Sequence, residues 1–331
     1  MELYAYIFTI VYGIFLLVTE NKSFFYISYI PIVIMYMIIV RFSGYDTDIL
    51  SYEKYMTRDL IGLYFQKEFI FWGGLQGLYK LFNNEFTVFI CADIIWIYIL
   101  IKTSQVKKYT KNHFPEALFI IIVTSFPIFF GYENIYRQLF AMIVVLYAYS
   151  LINENIRKSY LVLFLALFIH NSVVFILPIF IAKKFFRFNW NIRLIISIFT
   201  SLILISLIIY AYSTFKSGVN TNQNLTMLYY FMFITIFTFY FFKYRFNLIY
   251  VLKQFPSFLI SIILLSGLII LPFDYITERV GMMLLITVIY DLFIYSNTLD
   301  SIKRIAFRIL LQLLFTLPVL LSSSSMSFFD R

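Results

Sequence analysis

Long apolar stretches, separated by short polar breaks, form the dominant pattern along this chain. Because a membrane-spanning helix needs roughly 20 mostly apolar residues, each such stretch is a candidate span. The candidates cover residues 3–19, 24–40, 86–101, 116–130, 136–152, 194–212, 226–242, 256–272, 279–295 and 305–321. The pattern therefore predicts an all-α polytopic integral membrane protein with about ten full transmembrane helices.

Two further stretches fit a simple crossing less well. Residues 59–82 mix apolar positions with charges and glycines, and residues 160–182 are interrupted at His170-Asn171-Ser172. If the lysine- and arginine-rich loops are cytoplasmic, both ends of 160–182 lie inside, so we expect a re-entrant pair of short helices there. By the same counting, 59–82 is an interfacial or re-entrant helix on the outer side, and both chain termini are external. Irregular backbone at membrane depth normally lines a cavity, which would contain His170.

The composition agrees with a membrane protein. The 331 residues are 62% hydrophobic, 22% aromatic and 13% charged, whereas a soluble domain carries about 25% charged residues. The net charge of +9 is expected on cytoplasmic loops and not at a nucleic-acid site. A single cysteine and two histidines exclude an intrachain disulfide and predict neither a metal nor a cofactor. We expect one transmembrane domain over 1–331, with the outer-side segment 41–82 and the re-entrant pair 160–182 within it.

The first polar constellation follows an apolar span directly. Arg41 comes directly after the span 24–40, and Asp46 and Asp48 follow it. Asp48, Tyr52 and Tyr55 share one helical face because they are spaced i, i+4 and i+7. Carboxylates and tyrosines hydrogen-bond sugar hydroxyls, and tyrosine rings stack on sugar faces. The segment is therefore a candidate sugar site; the alternative is an interfacial loop with aromatic anchors.

A second constellation lies at the start of the span 136–152. A third lies at the interruption of 160–182. Arg137 and Gln138 open the span 136–152. Arginine suits bidentate phosphate recognition, and a helix N-terminus favours an anion. The alternative for Arg137 is a side chain that extends to the lipid headgroups. His170 would bind a phosphate or a sugar hydroxyl, or act as a base; the alternative is a structural histidine.

The fourth constellation lies at the mouth of a late span. Arg279 is a further phosphate candidate there, with Asp274 and Glu278 as sugar ligands or counter-ions. A purely structural salt bridge is the alternative. Asp93 lies inside the span 86–101, where polar residues often pack between helices. The sequence shows no catalytic partner for Asp93.

The order of these motifs resembles the EpsG-like family of bacterial polysaccharide polymerases, which is related to the Wzy O-antigen polymerases. The resemblance covers roughly residues 40–290 and rests on Arg41, Asp46-x-Asp48-x-x-x-Tyr52-x-x-Tyr55, Glu68, Arg137-Gln138, His170-x-Ser172 and Arg279. It implies a GT-C-like membrane glycosyltransferase fold. It also implies transfer of an undecaprenyl-pyrophosphate-linked glycan chain onto a sugar hydroxyl of another lipid-linked repeat unit. The reaction would take place at the outer, or periplasmic, face of the bacterial cytoplasmic (inner) membrane. A long external loop, present in the larger Wzy proteins, is missing.

Physical chemistry then suggests a role for each residue. Fixed cations can stabilise a leaving pyrophosphate without a metal, and an acceptor hydroxyl can use a base. The predicted catalytic residues are Arg137, Arg279, His170, Asp46 and Asp48. The predicted substrate-binding residues are Arg41, Gln138, Tyr52, Tyr55, Glu68, Asp274 and Glu278. The expected partners are the undecaprenyl-pyrophosphate-linked oligosaccharide, membrane lipid, and, as further candidates, a chain-length regulator and a flippase.

Two other functions are compatible with a polytopic chain. A flippase for lipid-linked oligosaccharides would also contain broken helices, but it should show internal repeats and polar residues reaching both sides. A membrane O-acyltransferase would use His170, but it would not need three arginines on the outer side. Both alternatives can be separated from a polymerase by supplying lipid-linked repeat units alone.

Overall fold

The computed structural model describes residues 1–43, 47–58, 67–106, 114–184, 190–214, 225–269 and 274–329. Every regular element within these ranges is a helix, which confirms the predicted all-α class. Five helices are long and apolar enough to cross a membrane: Glu2–Thr19, Lys22–Ser43, Glu85–Ser104, Thr277–Ser296 and Ser301–Leu321. The chain is therefore an integral membrane protein. The count of about ten spans and the GT-C-like architecture stay predictions.

The chain divides into two compact units. Unit 1 comprises Met1–Asn171 and Leu292–Arg331, and unit 2 comprises Ser172–Asp291. The helices that begin in unit 1 are α1 (Glu2–Thr19), α2 (Lys22–Ser43), α3 (Thr47–Met56), α4 (Phe69–Phe82), α5 (Glu85–Ser104), α6 (Ala117–Val123), α7 (Phe126–Glu133), α8 (Tyr136–Leu151), α9 (Ile156–Leu167), α16 (Ser301–Leu321) and α17 (Ser323–Phe329). Those that begin in unit 2 are α10 (Leu177–Lys184), α11 (Trp190–Thr214), α12 (Leu225–Lys243), α13 (Leu248–Gln254), α14 (Pro256–Ile269) and α15 (Asp274–Ser296), and α15 ends in unit 1. The predicted single domain stays a prediction.

Asparagines in the short polar breaks begin several helices of unit 1. The side chain of Asn21 accepts a hydrogen bond from the Phe24 N–H at 3.1 Å. Asn84 caps α5 in the same way, through the Thr87 N–H at 2.8 Å. Asparagine is favoured at this position because its side-chain oxygen satisfies an N–H that the helix leaves without a partner. The polar breaks therefore set where the apolar helices start.

The predicted continuous span over 116–130 is wrong, because α6 ends at Val123 and α7 begins at Phe126. Ser125 between them has an extended backbone, with φ −73° and ψ 149°. Pro127 lacks the N–H that a continuous helix would donate to the Val123 carbonyl, so the helix is interrupted. The interruption removes the N–H that a continuous helix would donate to the Thr124 carbonyl, and this buried carbonyl instead accepts a hydrogen bond from the Tyr6 hydroxyl at 2.7 Å.

The predicted interruption at His170 is confirmed. Helix α9 ends at Leu167, and a short 3₁₀ helix, Asn171–Ile176, precedes α10. His170 therefore lies in the non-helical connection between two helices, as its place in the sequence suggests. The re-entrant placement of this pair stays a prediction. In the other irregular stretch, residues 59–66 lie outside the described ranges, and α4 occupies Phe69–Phe82.

Helix α16 places polar side chains into unit 1 at every fourth position. The buried residues on this face are Arg304, Arg308, Gln312 and Thr316. Glu20, at the end of α1, accepts hydrogen bonds from Arg308 Nη1 at 3.1 Å and from Arg304 Nη2 at 2.9 Å. Because charges within a membrane protein are costly unless they are paired, these bonds specify how α16 is oriented against α1.

Unit 2 combines apolar packing with a small polar cluster. Asp291 accepts a hydrogen bond from Ser257 Oγ at 2.5 Å, and Lys183 Nζ lies 3.4 Å from the other carboxylate oxygen. Helices α12 and α14 line a partly open pocket of ≈ 260 Å³ whose lining is apolar. Phe233, Ile234, Phe237, Ile262 and Leu265 form that lining.

Candidate functional site

Glu68 brings three separate segments of unit 1 together. It directly precedes α4 and is buried, with an exposed fraction of 3%. Its Oε2 forms an ion pair with Nη1 of Arg137, in the first turn of α8. Its Oε1 lies 3.4 Å from Nδ1 of His170 and accepts the backbone N–H of Asn171 at 3.5 Å. These four residues, Glu68, Arg137, His170 and Asn171, form what we call the Glu68 cluster.

Aromatic side chains surround the cation of this cluster. Arg137 Nε donates to the Tyr52 hydroxyl at 3.4 Å, and the guanidinium carbon lies 5.3 Å from the centre of a Trp72 ring. Tyr52 and Tyr55 each pack edge-on against Trp72, with ring centroids 5.5 Å apart in both pairs. Aromatic faces attract a guanidinium and limit its rotation. The aromatic residues therefore hold Arg137 in a defined position.

Backbone contacts explain why Glu68 and His170 meet. The N–H of Ile70, in the first turn of α4, donates to the Phe168 carbonyl at 3.2 Å. The rings of Phe69 and Phe168 pack at 5.1 Å. These contacts join the start of α4 to the end of α9. Glu68, just before α4, therefore lies beside His170, just after the end of α9.

A second cluster of unit 1 contains Arg41 and Asp93. Arg41 Nε and Nη2 donate to the two oxygens of Asp93 at 2.8 and 2.9 Å. Asp93 also accepts from Trp96 Nε1 at 2.9 Å and from the Tyr136 hydroxyl at 2.7 Å. Arg41 Nη1 donates to the Tyr132 carbonyl at 3.0 Å. Both charged side chains are almost fully buried, with 1% and 2% exposure.

This pairing was not visible in the sequence. Asp93 has a cationic partner 52 positions away in the chain, on another helix. The role of Arg41 in substrate binding stays a prediction, but its guanidinium is engaged by Asp93 and by a backbone carbonyl. These bonds join α2 to α5, so Arg41 and Asp93 have at least this structural function.

The structure places the remaining predicted residues as follows. Tyr52 and Tyr55 lie on one helix, α3, as predicted, and Gln138 is fully buried in α8. Asp48 belongs to α3, but its side chain lies outside the description, as does the whole of Asp46. In unit 2, Glu278 is buried and Arg279 is half-buried near the start of α15. Asp274 begins that helix, and its side chain also lies outside the description.

Two members of this site were not predicted from the sequence as functional residues. Trp72 follows Glu68 by four positions, and its backbone N–H donates to the Glu68 carbonyl at 3.2 Å at the start of α4. This i, i+4 spacing is a signal that could have identified it. Asn171 contributes its backbone N–H and not its side chain. Almost any residue type can donate a backbone N–H, so the sequence does not indicate such a contact, and only the fold shows it.

The Glu68 cluster combines three chemical capabilities. The planar guanidinium of Arg137 matches the geometry of a phosphate. Glu68 beside Nδ1 of His170 favours the imidazole tautomer with its proton on Nδ1, so Nε2 is the basic nitrogen. The third feature is a group of aromatic rings beside the guanidinium, those of Tyr52, Tyr55 and Trp72. Among the described residues, no three His, Cys, Asp or Glu side chains lie close enough to hold a metal ion.

Comparison with known proteins confirms the family resemblance. The EpsG family model matches residues 22–329. No curated protein and no solved structure matches the chain. The matched range extends from the start of α2 to the end of α17. It therefore includes the Glu68 cluster, the Arg41–Asp93 pair and all of unit 2.

Proposed function

This chain belongs to the EpsG family, and from that premise we propose that it polymerises lipid-linked oligosaccharide repeat units. Family membership indicates a polysaccharide-polymerase-like role at a membrane. The substrate that we propose is an undecaprenyl-pyrophosphate-linked oligosaccharide. The observation that supports this proposal is the Glu68 cluster, in which a guanidinium and an imidazole share one buried carboxylate.

In the proposed reaction, the bond between the donor sugar and its lipid pyrophosphate breaks. A new glycosidic bond forms to a hydroxyl oxygen of the acceptor repeat unit. The pyrophosphate leaves with the bonding electron pair, and Arg137 stabilises the negative charge that develops on it. The proton of the acceptor hydroxyl passes to Nε2 of His170, while Glu68 holds Nδ1. Glu68 thus positions both the cation and the base.

The charge distribution supports an external location for this chemistry. Arg137 lies in the first turn of α8, and Arg157 and Lys158 follow the other end of that helix. Basic loops are retained on the cytoplasmic side. The end of α8 that contains Arg137 therefore faces outward in the proposed topology. The role of Arg279, in unit 2, stays a prediction, which Arg279→Ala tests in the assay described below.

The decisive assay uses purified protein in liposomes with lipid-linked repeat units extracted from a producing strain that lacks this protein. A ladder of products that forms with these units alone identifies a polymerase. A requirement for an acyl donor would identify an acyltransferase. Movement of the units across the bilayer with no ladder would identify a flippase. Either of these results would overturn the proposal.

Two variants test the assigned residues. Arg137→Ala should abolish the ladder, and Arg157→Ala, at an exposed arginine of the same unit, should not. His170→Asn keeps a nitrogen donor near Glu68 but has no equivalent of Nε2, so it should fold normally and make no ladder. Full-length ladders from Arg137→Ala at normal expression would refute the role of this cation.

A further inference from the structure

The Arg41–Asp93 pair spans the turn that leads into the proposed site. Arg41 Nη1 donates to the carbonyl of Tyr132, in the last turn of α7. Asp93 Oδ1 accepts from the hydroxyl of Tyr136, the first residue of α8. The turn between α7 and α8 lies between these two contacts. One buried ion pair therefore holds both sides of the turn.

Arg137 is the next residue after Tyr136. The Tyr136 side chain points into the core, where its ring lies 4.8 Å from the Arg41 guanidinium carbon. Successive side chains of an α-helix point about 100° apart, because the helix has about 3.6 residues per turn. Fixing the direction of Tyr136 therefore fixes the direction in which Arg137 leaves the helix. That direction leads to Glu68.

In the described part of the chain, no N-cap side chain restrains the start of α8. Its N-cap residue, Ile135, provides no side-chain hydrogen bond to the first turn. A helix start of this kind tends to fray unless tertiary contacts hold it. Buried ion pairs tolerate few alternative geometries, so the Arg41–Asp93 pair is suited to hold this turn.

We propose that Arg41, Asp93 and Tyr136 are positioning residues, which hold the first turn of α8 so that Arg137 meets the leaving pyrophosphate. This inference rests on the proposed function of Arg137. The three residues act through Arg137 and do not touch the reacting atoms. Loss of one contact should therefore lower kcat, where the developing charge matters, more than it raises KM.

Tyr136→Phe is the test variant, because it removes the hydroxyl that donates to Asp93 and, at 3.3 Å, to the Phe89 carbonyl, and keeps the ring. Thr316→Val is its matched control. It removes another buried hydroxyl of unit 1, which donates to the Thr124 carbonyl at 3.1 Å and to the Thr124 hydroxyl oxygen at 3.2 Å. Initial rates are measured in liposomes with extracted lipid-linked repeat units. They are normalised to the monodisperse fraction of each protein, so that partial unfolding is not counted as lost turnover.

We expect Tyr136→Phe to lower kcat by roughly 10- to 100-fold, the loss typical of a small misplacement of a catalytic group. Thr316→Val should remain close to the wild-type rate. When Tyr136→Phe is added to Arg137→Lys, it should cause little further loss, because the group that it positions is already impaired. A purely structural role would instead lower the rate by the same factor in both backgrounds.

The outcomes separate this inference from the proposed function. If Arg137→Ala is as active as wild type, the proposed function loses its cation, and the positioning role fails with it. If Arg137→Ala is inactive but Arg137→Lys is as active as wild type, the exact position of the cation does not matter, and the positioning role alone is refuted. If Arg137→Lys is slow but Tyr136→Phe turns over at the wild-type rate, the positioning role alone is refuted. Multiplicative losses in the double variant refute it as well.

Discussion

Replacing Glu68 by glutamine is the most direct perturbation of the candidate site. Glutamine has nearly the same shape but carries no charge and has only one acceptor oxygen. Glu68 uses one oxygen for Arg137 and the other for the Asn171 N–H, beside His170. The variant therefore loses the ion pair, and one of these donors loses its acceptor. We expect both lower stability and lower turnover.

The size of the stability loss follows from burial. Removing one partner of a buried ion pair costs about 3–5 kcal/mol, because the other charge remains buried. The side chain of Arg137 is 14% exposed, and Tyr52 and Trp72 still contact it, so part of the loss is offset. We therefore expect about 2–3 kcal/mol. For a unit of this size, that loss lowers the melting midpoint by roughly 4–12 °C.

Thermal unfolding of the detergent-solubilised protein measures this shift. Glu154→Gln, at an exposed glutamate of the same unit, is the control for the loss of one negative charge. A midpoint for Glu68→Gln within about 2 °C of the control would correspond to less than about 1 kcal/mol. That result would show that the ion pair contributes little and would refute the reasoning from burial.

Three further variants test the packing of unit 1 through their melting midpoints. In Gly13→Ala, the new Cβ would lie 2.7 Å from Gln312 Nε2 and 2.9 Å from Cγ2 of the buried Ile120, so we expect a loss of about 1–3 kcal/mol; an unchanged midpoint would contradict this tight approach. Gly73→Ala meets open space and should gain up to about 1 kcal/mol of helix propensity; a lower midpoint would argue against a helix there. Glu20→Gln removes the carboxylate that Arg308 binds and should cost about 3 kcal/mol; a wild-type midpoint would show that the other partners of Arg308 suffice.

Much of the fold could be predicted, because an apolar run of spanning length has few alternatives in a membrane. The runs 3–19 and 305–321 correspond closely to Glu2–Thr19 and Ser301–Leu321. The interruption at His170 was also predictable, because a polar triplet disturbs an otherwise apolar stretch. The break at Ser125 was missed, because hydropathy alone does not show the hydrogen bond that Pro127 removes from a helix.

The candidate site was predictable only as separate residues. Arg137, His170, Glu68 and the two tyrosines of α3 were all identified as polar or aromatic residues in a membrane setting, where such residues are often functional. Their catalytic and binding roles stay predictions. The sequence did not show that one carboxylate joins Arg137 to His170, since ion pairing between distant segments depends on the arrangement of the helices.

Hydropathy and short motifs, which are read directly from the chain, suffice to identify an all-α membrane protein of the EpsG family. The partner of each charge depends instead on how the helices pack. Asp93 could be read as an isolated polar residue in a span, yet it binds Arg41 and thereby holds the turn before Arg137. The physical reason is that a buried charge must be paired, and the packing of the helices selects its partner.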